Sequence, residues 1–526
     1  MTFKLTYSTM FDPPEALHTR FEEALAAVRA QLGAEHPMLI DGRDERAGRQ
    51  FSVPAPADTT VVLGRFQSGD EPHAAAAVAA AARAYPAWSR RPWQERVALL
   101  RHAAQKIEER VYALGAILAL EVGKNRMEAL GEAQETADLI SYYCDQMEAN
   151  DGYAKAMARD PLAGFVSENR SVLKPYGVWL VVSPFNFPLA LSGGPAGAAL
   201  VAGNTVVFKP ASATPWSGRL LALAFRDAGI PHGVFNYVTG AGGTIGQALV
   251  AHPVVAGVTF TGSYAVGMQL YRASAQRRYP RPCIAEMGGM NAAIVTRHAD
   301  IADAATGVSR SAFGLSGQKC SACSRVYVEH AVFGELVTEL HRRAAAIRVG
   351  DPTHREHWMG PVIDAAAVAR YEQATATVRA LGSAGAIVEG GLRLDGHGLA
   401  RGHFVAPTIA RLAAGHPLWQ QELFLPFVLV APVDSLDAAL ELANEGDYAL
   451  AAGFYGSPDE TEHFFEGIEA GVCYANRPQG ATTGAWPAYQ PFGGWKGSGS
   501  TGKAGGSLYY LPQYLREQSQ TRVRRG

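Results

Sequence analysis

The stretch Gly203-Asn204-Thr205-Val206-Val207-Phe208-Lys209-Pro210 sets a short run of apolar and β-branched residues between a glycine and a proline. Thr205 to Lys209 therefore reads as a buried strand bounded by turn formers. Trp179 to Ser183, Val234 to Thr239 and Gly257 to Thr261 read the same way. Between them, the segments near Trp216 to Ala228 and Gly243 to Ala251 have helical spacing. Strands apolar on both faces, alternating with helices, predict a parallel, doubly wound sheet. A similar alternation from Ala292 to about Gly453 predicts a second one.

Outside these regions the pattern changes. Glu15 to Leu32 reads as a helix in an N-terminal extension of about 40 residues packed on the body, and His73 to about Met147 reads as helical throughout. Gly164 to Trp179 loses helical spacing and gains β-branched and aromatic residues, which predicts a strand or hairpin. A chain of 526 residues exceeds one core and implies two or three domains. Its formal charge of −2 gives no reason to expect a nucleic-acid partner. The apolar runs at Val178 to Val182 and Gly193 to Gly203 are too short or too glycine-rich to cross a bilayer, and Met1-Thr2-Phe3-Lys4 does not open like a signal peptide. Five scattered cysteines fit a reducing compartment, so the expected location is cytoplasmic.

The chemistry is carried by Gly317-Gln318-Lys319-Cys320-Ser321, whose cysteine lies 34 residues after the glutamate of Glu286-Met287-Gly288-Gly289. A cysteine can attack a carbonyl carbon, and a carboxylate can activate the water that hydrolyses the acyl-cysteine. Asn186, in Ser183-Pro184-Phe185-Asn186-Phe187-Pro188, offers a side-chain amide to the oxyanion. Taken singly, each has a plainer reading: a buried cysteine, a loop carboxylate, a turn asparagine. Cys320-Ser321-Ala322-Cys323 also spells C-x-x-C, but no further ligands stand at zinc spacing. His354 and His357 fall in a loop and read as surface residues, so no metal is expected.

In chain order, seven stretches resemble the aldehyde dehydrogenase superfamily from about residue 40 to the end. They are Ser183 to Pro188, Gly203 to Pro210, Phe260-Thr261-Gly262-Ser263, Glu286 to Gly289, Gly317 to Cys320, Glu422-Leu423-Phe424 and Pro491-Phe492-Gly493-Gly494. The resemblance implies NAD(P)-dependent oxidation of an aldehyde to a carboxylate through a thioester on Cys320, with Glu286 as base and Asn186 in the oxyanion hole. It also implies an aldehyde dehydrogenase-like α/β fold of two doubly wound parallel-sheet domains plus a β-flap. The expected limits are a cofactor domain at 1–155 and 177–285, a catalytic domain at 286–475 and an oligomerisation flap at 156–176 and 476–526. Because an isolated two-stranded arm is unstable, the expected partner is a second copy, giving a dimer or an assembly of dimers.

For the cofactor, Ser263 opens a helix and can give its hydroxyl and free N–H groups to a pyrophosphate. The resemblance gives Ser263, with Gly262 and an open turn at Gly267, that role. It places Lys209 on the adenine-ribose hydroxyls and Glu422 and Phe424 against the nicotinamide ribose and ring. NAD is the expected cofactor, but Ser212 stands where many NAD-specific members carry a glutamate, so NADP is not excluded by charge. Leu425 replaces the usual glycine. Gly240 to Gly246 reads either as a phosphate loop or as a plain turn, its spacing one residue from the dinucleotide fingerprint.

For the substrate, Ser321 and the backbone of Gly484 and Ala485 can bind a carboxylate, with Phe187 and Phe492 sandwiching a short chain. This set, with Thr483-Gly484-Ala485 before Gln490-Pro491-Phe492-Gly493-Gly494, resembles the 1-pyrroline-5-carboxylate (L-glutamate γ-semialdehyde) dehydrogenases of proline catabolism. Pro478-Gln479-Gly480-Ala481-Thr482 makes a longer link than that group is expected to have. The alternatives are a dehydrogenase for another carboxylated semialdehyde or an aliphatic aldehyde, and a catalytically inert structural member.

Overall fold

The computed structural model describes residues 5–7, 9–10, 13–396 and 398–526. Two seven-stranded sheets organise it. The first runs, edge to edge, Cys283–Glu286, Val255–Thr261, Val178–Val182, Thr205–Lys209, Phe235–Tyr237, Met38–Ile40, Arg43–Glu45. Its first five strands are parallel, Met38–Ile40 runs antiparallel to them, and Arg43–Glu45 pairs antiparallel with Met38–Ile40. Successive side chains point to opposite faces. Trp179, Val181, Val206 and Phe208 enter one buried cluster, while Val178, Leu180 and Val207 enter another. Both faces are apolar, so both must be covered by helices.

Those covers include Ala190–Ala202 and Trp93–Glu108 on one side and Glu71–Arg90 on the other. The helix Glu15–Arg29 buries Phe21, Leu25 and Val28 against the first side. Among the described residues, no helix is long and apolar enough to cross a membrane.

The second sheet runs Gly385–Glu389, Thr408–Leu412, Phe427–Val433, Cys323–Glu329, Asn291–Val295, Ala451–Tyr455, Val472–Ala475. Only its Gly385–Glu389 edge is antiparallel. Again alternate residues divide between two cores, Ala292 and Ile294 in one and Ala293 and Val295 in the other.

In the first sheet, strand order reverses between Val178–Val182 and Val255–Thr261. Chains leave such a point in opposite directions and open a crevice at the carboxyl ends. The loops starting at Ser183 and Gly262 begin there. Glu286 ends the edge strand of this sheet, and Asn291 begins the second sheet only five residues later. The crevice of one sheet therefore faces the amino ends of the other.

A third, three-stranded sheet joins Ala154–Ala156, Phe165–Pro175 and Leu515–Arg525 antiparallel. This is smaller than the flap expected at 156–176 and 476–526. Residues 476–514 pack on the body instead: Trp495-Lys496 pairs with Tyr448-Ala449, and Tyr510, Leu511 and Tyr514 are buried in the first core. Burial of these aromatic side chains outweighs any tendency of the segment to extend with the arm. Phe165, Met157, Leu162 and Val523 remain exposed on or beside the three-stranded sheet.

Candidate active site

Cys320 follows a backbone that runs against ordinary preference. After the helix Ile301–Phe313, Leu315, Ser316 and Gly317 adopt φ of 50°, 53° and 67°. Two consecutive non-glycine residues in the left-handed region cost of order 1–3 kcal/mol each and need support from their surroundings. Leu315 is buried in the first core, and the Ser316 hydroxyl donates to the Gly360 carbonyl at 2.7 Å. The Gln318 carboxamide oxygen accepts from Ile363 N–H at 2.9 Å.

The asparagine expected at the oxyanion, Asn186, is buried and its amide donates to the Gln318 carbonyl at 2.9 Å. The loop after the first sheet thus closes on the turn that presents the cysteine. Asn291 completes the clamp. Its amide donates to the carbonyls of Cys320 at 2.7 Å and Ala322 at 2.9 Å, while its oxygen accepts from Ala451 N–H at 2.9 Å.

Cys320 is half-buried, and burial pushes its thiol up to about 12, the carboxylates of Glu422 and Glu286 adding to the effect. Burial likewise pushes Glu286 up to about 8, against a smaller opposing pull from the Gly494 N–H. One oxygen of Glu286, Oε2, is buried with no hydrogen-bond partner among the described residues. That is an unusual state for a carboxyl group, since a buried polar atom without a partner is costly. It suits a base that must take a proton from water.

One cavity is lined by Cys320, Glu286, Ser321, Phe187 and Phe492, and Gly484 and Ala485 close the same wall. Arg477 explains how the anchor loop is aimed. Its guanidinium donates to the carbonyls of Thr483 and Gly484, both at 3.3 Å. In a trans peptide the next N–H points opposite the carbonyl, so the N–H groups of Gly484 and Ala485 face away from Arg477. Gly484 holds φ of 119°, which a side chain rarely tolerates.

The longer link is also fixed. Arg310 donates to the Pro478 carbonyl at 3.2 Å, Thr482 N–H donates to Ser311 Oγ at 3.0 Å, and the Thr482 hydroxyl donates to the Ser321 carbonyl at 2.6 Å.

The expected cofactor residues gather at the crevice of the first sheet. Lys209 ends its strand buried, with Nζ donating to the Pro210 carbonyl at 3.0 Å, and burial lowers its ammonium to about 8. Ser212 donates to the Gly240 carbonyl at 3.3 Å, and Gly246 approaches the Lys209 stem. The glycine-rich turn of Gly240 to Gly246 therefore flanks Lys209; it is a π-helical turn over Gly242–Gly246.

Ser263 stands just before the helix Tyr264–Ala275, and its side chain makes no capping bond there, which leaves its hydroxyl for another acceptor. At Gly267 a side chain would collide with Met287 and the Phe260 ring. Glu422 accepts from Gly289 N–H at 2.9 Å, and burial raises its carboxyl. Phe424 takes φ of 59° and meets Phe185 edge-on at 5.8 Å. The irregular backbone falls on Phe424, and Leu425 is buried in the second sheet's core.

Other candidates separate from this site. Cys323 is buried in the second sheet's core, where its thiol donates to the Arg325 carbonyl at 3.6 Å. His354, Glu356 and His357 converge at the surface with ligand-capable atoms within 4.8 Å of one another. His354 is 54% exposed and takes part in ion pairs with Asp351 and Glu356.

Residues 43–519 match the aldehyde dehydrogenase family. The chain belongs to that family. Similar curated relatives are named 1-pyrroline-5-carboxylate dehydrogenase. That of Bacillus subtilis (strain 168) is 35% identical over 518 residues, covering 97% of this chain and 98% of its own. That of Geobacillus sp. (strain WCH70) is 35% identical over 505 residues, covering 94% of this chain and 95% of its own. Among solved structures, a 1-pyrroline-5-carboxylate dehydrogenase from Thermus with bound NAD gives a TM-score of 0.91 at 32% identity, covering both chains fully. Proline utilization A from Bdellovibrio bacteriovorus gives 0.90 at 34% identity; this chain is 97% covered but spans only 52% of that longer protein.

Sequence reasoning missed several residues of the site. Lys124 and Glu132 form a fully buried ion pair at 2.7 Å, and the Lys124 ammonium lies 3.4 Å from the Phe187 ring centre. Glu132 also accepts from the N–H groups of Leu189 and Ala190, which fixes the loop carrying Asn186 and Phe187. The one available signal was the row Glu128, Glu132, Glu135 along one face of the helix Arg126–Ala149, which buries Glu128 and Glu132 and half-buries Glu135 where an ordinary helix would bury apolar residues. Asn291 acts through carbonyls 29 and 31 residues away, and Arg477 through loop carbonyls six and seven residues on, neither of which is a helix or strand spacing.

Proposed function

We propose that this enzyme oxidises L-glutamate γ-semialdehyde, the open form of 1-pyrroline-5-carboxylate, to L-glutamate in proline catabolism, with NAD as acceptor. The observation that carries this reading is the Arg477-aimed loop, which turns two N–H groups away from the clamp beside Ser321 in the cavity of Cys320. The names of the relatives point the same way. In this reading, the Cys320 sulfur attacks the aldehyde carbon and the Asn186 amide and Cys320 N–H take up the oxyanion. Glu286 takes a proton from the water that hydrolyses the thioester.

Two cofactor residues fit a dinucleotide: Lys209 brings a buried cation, and Ser263, before a helix start, a hydroxyl not used to cap that helix. A bound nicotinamide would supply the hydride acceptor needed for the thiohemiacetal on Cys320 to become a thioester. Lys209 would hold the adenine ribose, Gly262 and Ser263 the pyrophosphate, and Glu422 and Phe424 the nicotinamide end. Ser212 brings no charge to repel a 2′-phosphate, so assays with NAD and NADP side by side read its effect directly.

The discriminating assay compares aldehydes of equal length with and without an α-carboxylate. A buried anion loses about 1.5–3 kcal/mol per missing hydrogen bond, so the carboxylated substrate should be preferred at least roughly tenfold in kcat/KM. Ser321→Ala should erode that preference. Equal efficiency on pentanal and glutamate semialdehyde in the unaltered enzyme would remove the carboxylate anchor, and a stronger response to another semialdehyde in the panel would name that one instead.

We also infer that the sheet of residues 38–286 serves the cofactor, that of 291–475 presents the nucleophile, and the three-stranded arm pairs with a second subunit in the cytoplasm. Apolar side chains left bare on the arm support the pairing. Light scattering at micromolar concentration should give a dimer or a multiple of it; a monomer would overturn that inference.

A further inference from the structure

Tyr7 precedes every strand among the described residues, yet it lines the cavity that contains Cys320. Three contacts hold it there. Its hydroxyl donates to Glu135 Oε2 at 2.6 Å. Its ring meets Phe187 edge-on at 6.4 Å and Trp486 edge-on at 5.2 Å between centroids. Trp486 is itself fixed by its indole N–H, which donates to Asp138 Oδ2 at 2.9 Å. Met10, almost fully buried, lines the same cavity a few residues later.

The neighbours of Tyr7 come from three places that matter to the aldehyde's path. Phe187 follows the oxyanion asparagine, Trp486 follows the anchor pair Gly484-Ala485, and Glu135 projects from the helix Arg126–Ala149. An apolar chain that enters alongside Phe187 and the anchor loop therefore runs towards the Tyr7 ring. Without Tyr7, the cavity would extend into the volume of that ring, and it would end on a bare carboxylate at Glu135.

We propose that Tyr7 is a specificity-determining residue: its ring ends the substrate cavity and sets the length of aldehyde accepted, and its hydroxyl occupies the Glu135 carboxylate. This rests on the cavity being the aldehyde's site, and not on which aldehyde is physiological. A segment outside both large sheets would then choose substrate length, which leaves the catalytic frame untouched when that segment varies.

The test uses the full-length enzyme and uncharged straight-chain aldehydes from propanal to decanal, with saturating NAD. In the unaltered enzyme, kcat/KM should rise with length and then fall sharply at one chain length. Tyr7→Ala should move the fall to longer aldehydes, and each further methylene that finds an apolar wall should add about fourfold. Octanal relative to butanal should gain at least about tenfold. Tyr7→Trp, which fills more of the end wall, should move the fall the other way.

Tyr7→Phe keeps the ring and should keep the position of the fall, which separates the ring's effect from the hydroxyl's. A fall at the same length in all variants would overturn the proposal. So would a shift of Tyr7→Ala and Tyr7→Trp in the same direction, since that is what mere loosening of the segment would give. Glutamate semialdehyde plays no part in this comparison, so failure of the substrate reading would show only in the carboxylate assay above.

Discussion

Replacing Cys320 by alanine should lower aldehyde oxidation at least ~10⁴-fold, as removal of an attacking nucleophile does elsewhere, while NAD binding stays nearly unchanged. The two effects separate because of where the groups lie. Cys320 lines the substrate cavity, whereas Lys209, Ser212 and Ser263 sit at the crevice of the other sheet. The substitution removes only a sulfur, and the clamp on this turn works through backbone: Asn291 holds the carbonyls of residues 320 and 322, and Asn186 that of residue 318. Tryptophan-fluorescence titration with NAD, run beside steady-state assays, measures both. Substantial turnover in this variant would exclude Cys320 as the nucleophile. Lost cofactor binding would mean that the turn also supports the crevice.

Glu286→Gln should release about one reduced cofactor per site in a burst and then slow in steady state by roughly 10²–10⁴-fold, the usual contribution of a general base. Glutamine preserves shape but cannot take a proton from water. In the unaltered enzyme, burial holds the Glu286 carboxyl at about 8, so the base form grows as pH rises from 6 towards 9. The rate of thioester hydrolysis should rise over that window and level off above it, and the glutamine variant should lose this limb.

The stability effect has the opposite sense. A carboxyl whose folded value lies above its unfolded one favours the fold at low pH and loses that contribution as pH rises through about 8. Stopped-flow absorbance between pH 6 and 9 checks the kinetics. Normal steady-state turnover in Glu286→Gln would assign the water to another base.

How legible the molecule was depends on how local each cause is. Thr205 to Lys209 folds as the strand its flanking Gly203 and Pro210 suggested, with the same limits. Val234 to Thr239 shortens to Phe235–Tyr237 because Val234 N–H is spent on a turn to the Pro231 carbonyl. The segment from Gly243 to Ala251 splits into a π-helical turn over Gly242–Gly246 and a short helix Gln247–Ala251, as expected where glycines weaken helix formation.

The residues with motif neighbours, among them Cys320, Glu286, Phe187, Ser321 and Phe492, were readable and meet in one cavity. Those that work by long-range contact were not. Asn291 reaches carbonyls 29 and 31 residues away, and Tyr7 bonds a glutamate 128 residues on. Spacing rules see only neighbours along a strand or helix turn, so such partners stay invisible until the chain is folded.

The last turn before the arm closes the first sheet. The Tyr514 ring lies 4.6 Å from that of Trp179, its hydroxyl meets Thr259 Oγ1 at 3.0 Å, and its carbonyl accepts from the Asn204 amide at 2.9 Å. The order of synthesis gives this closure a consequence. A ribosome that has just released Glu286 must still make the whole second sheet before Tyr514 emerges, roughly 10–50 s at ordinary elongation speeds. Throughout that interval Trp179 and its neighbours lack their final cover. The amino-terminal half thus reaches its native packing only after Tyr514 has emerged, long after its own last strand is made.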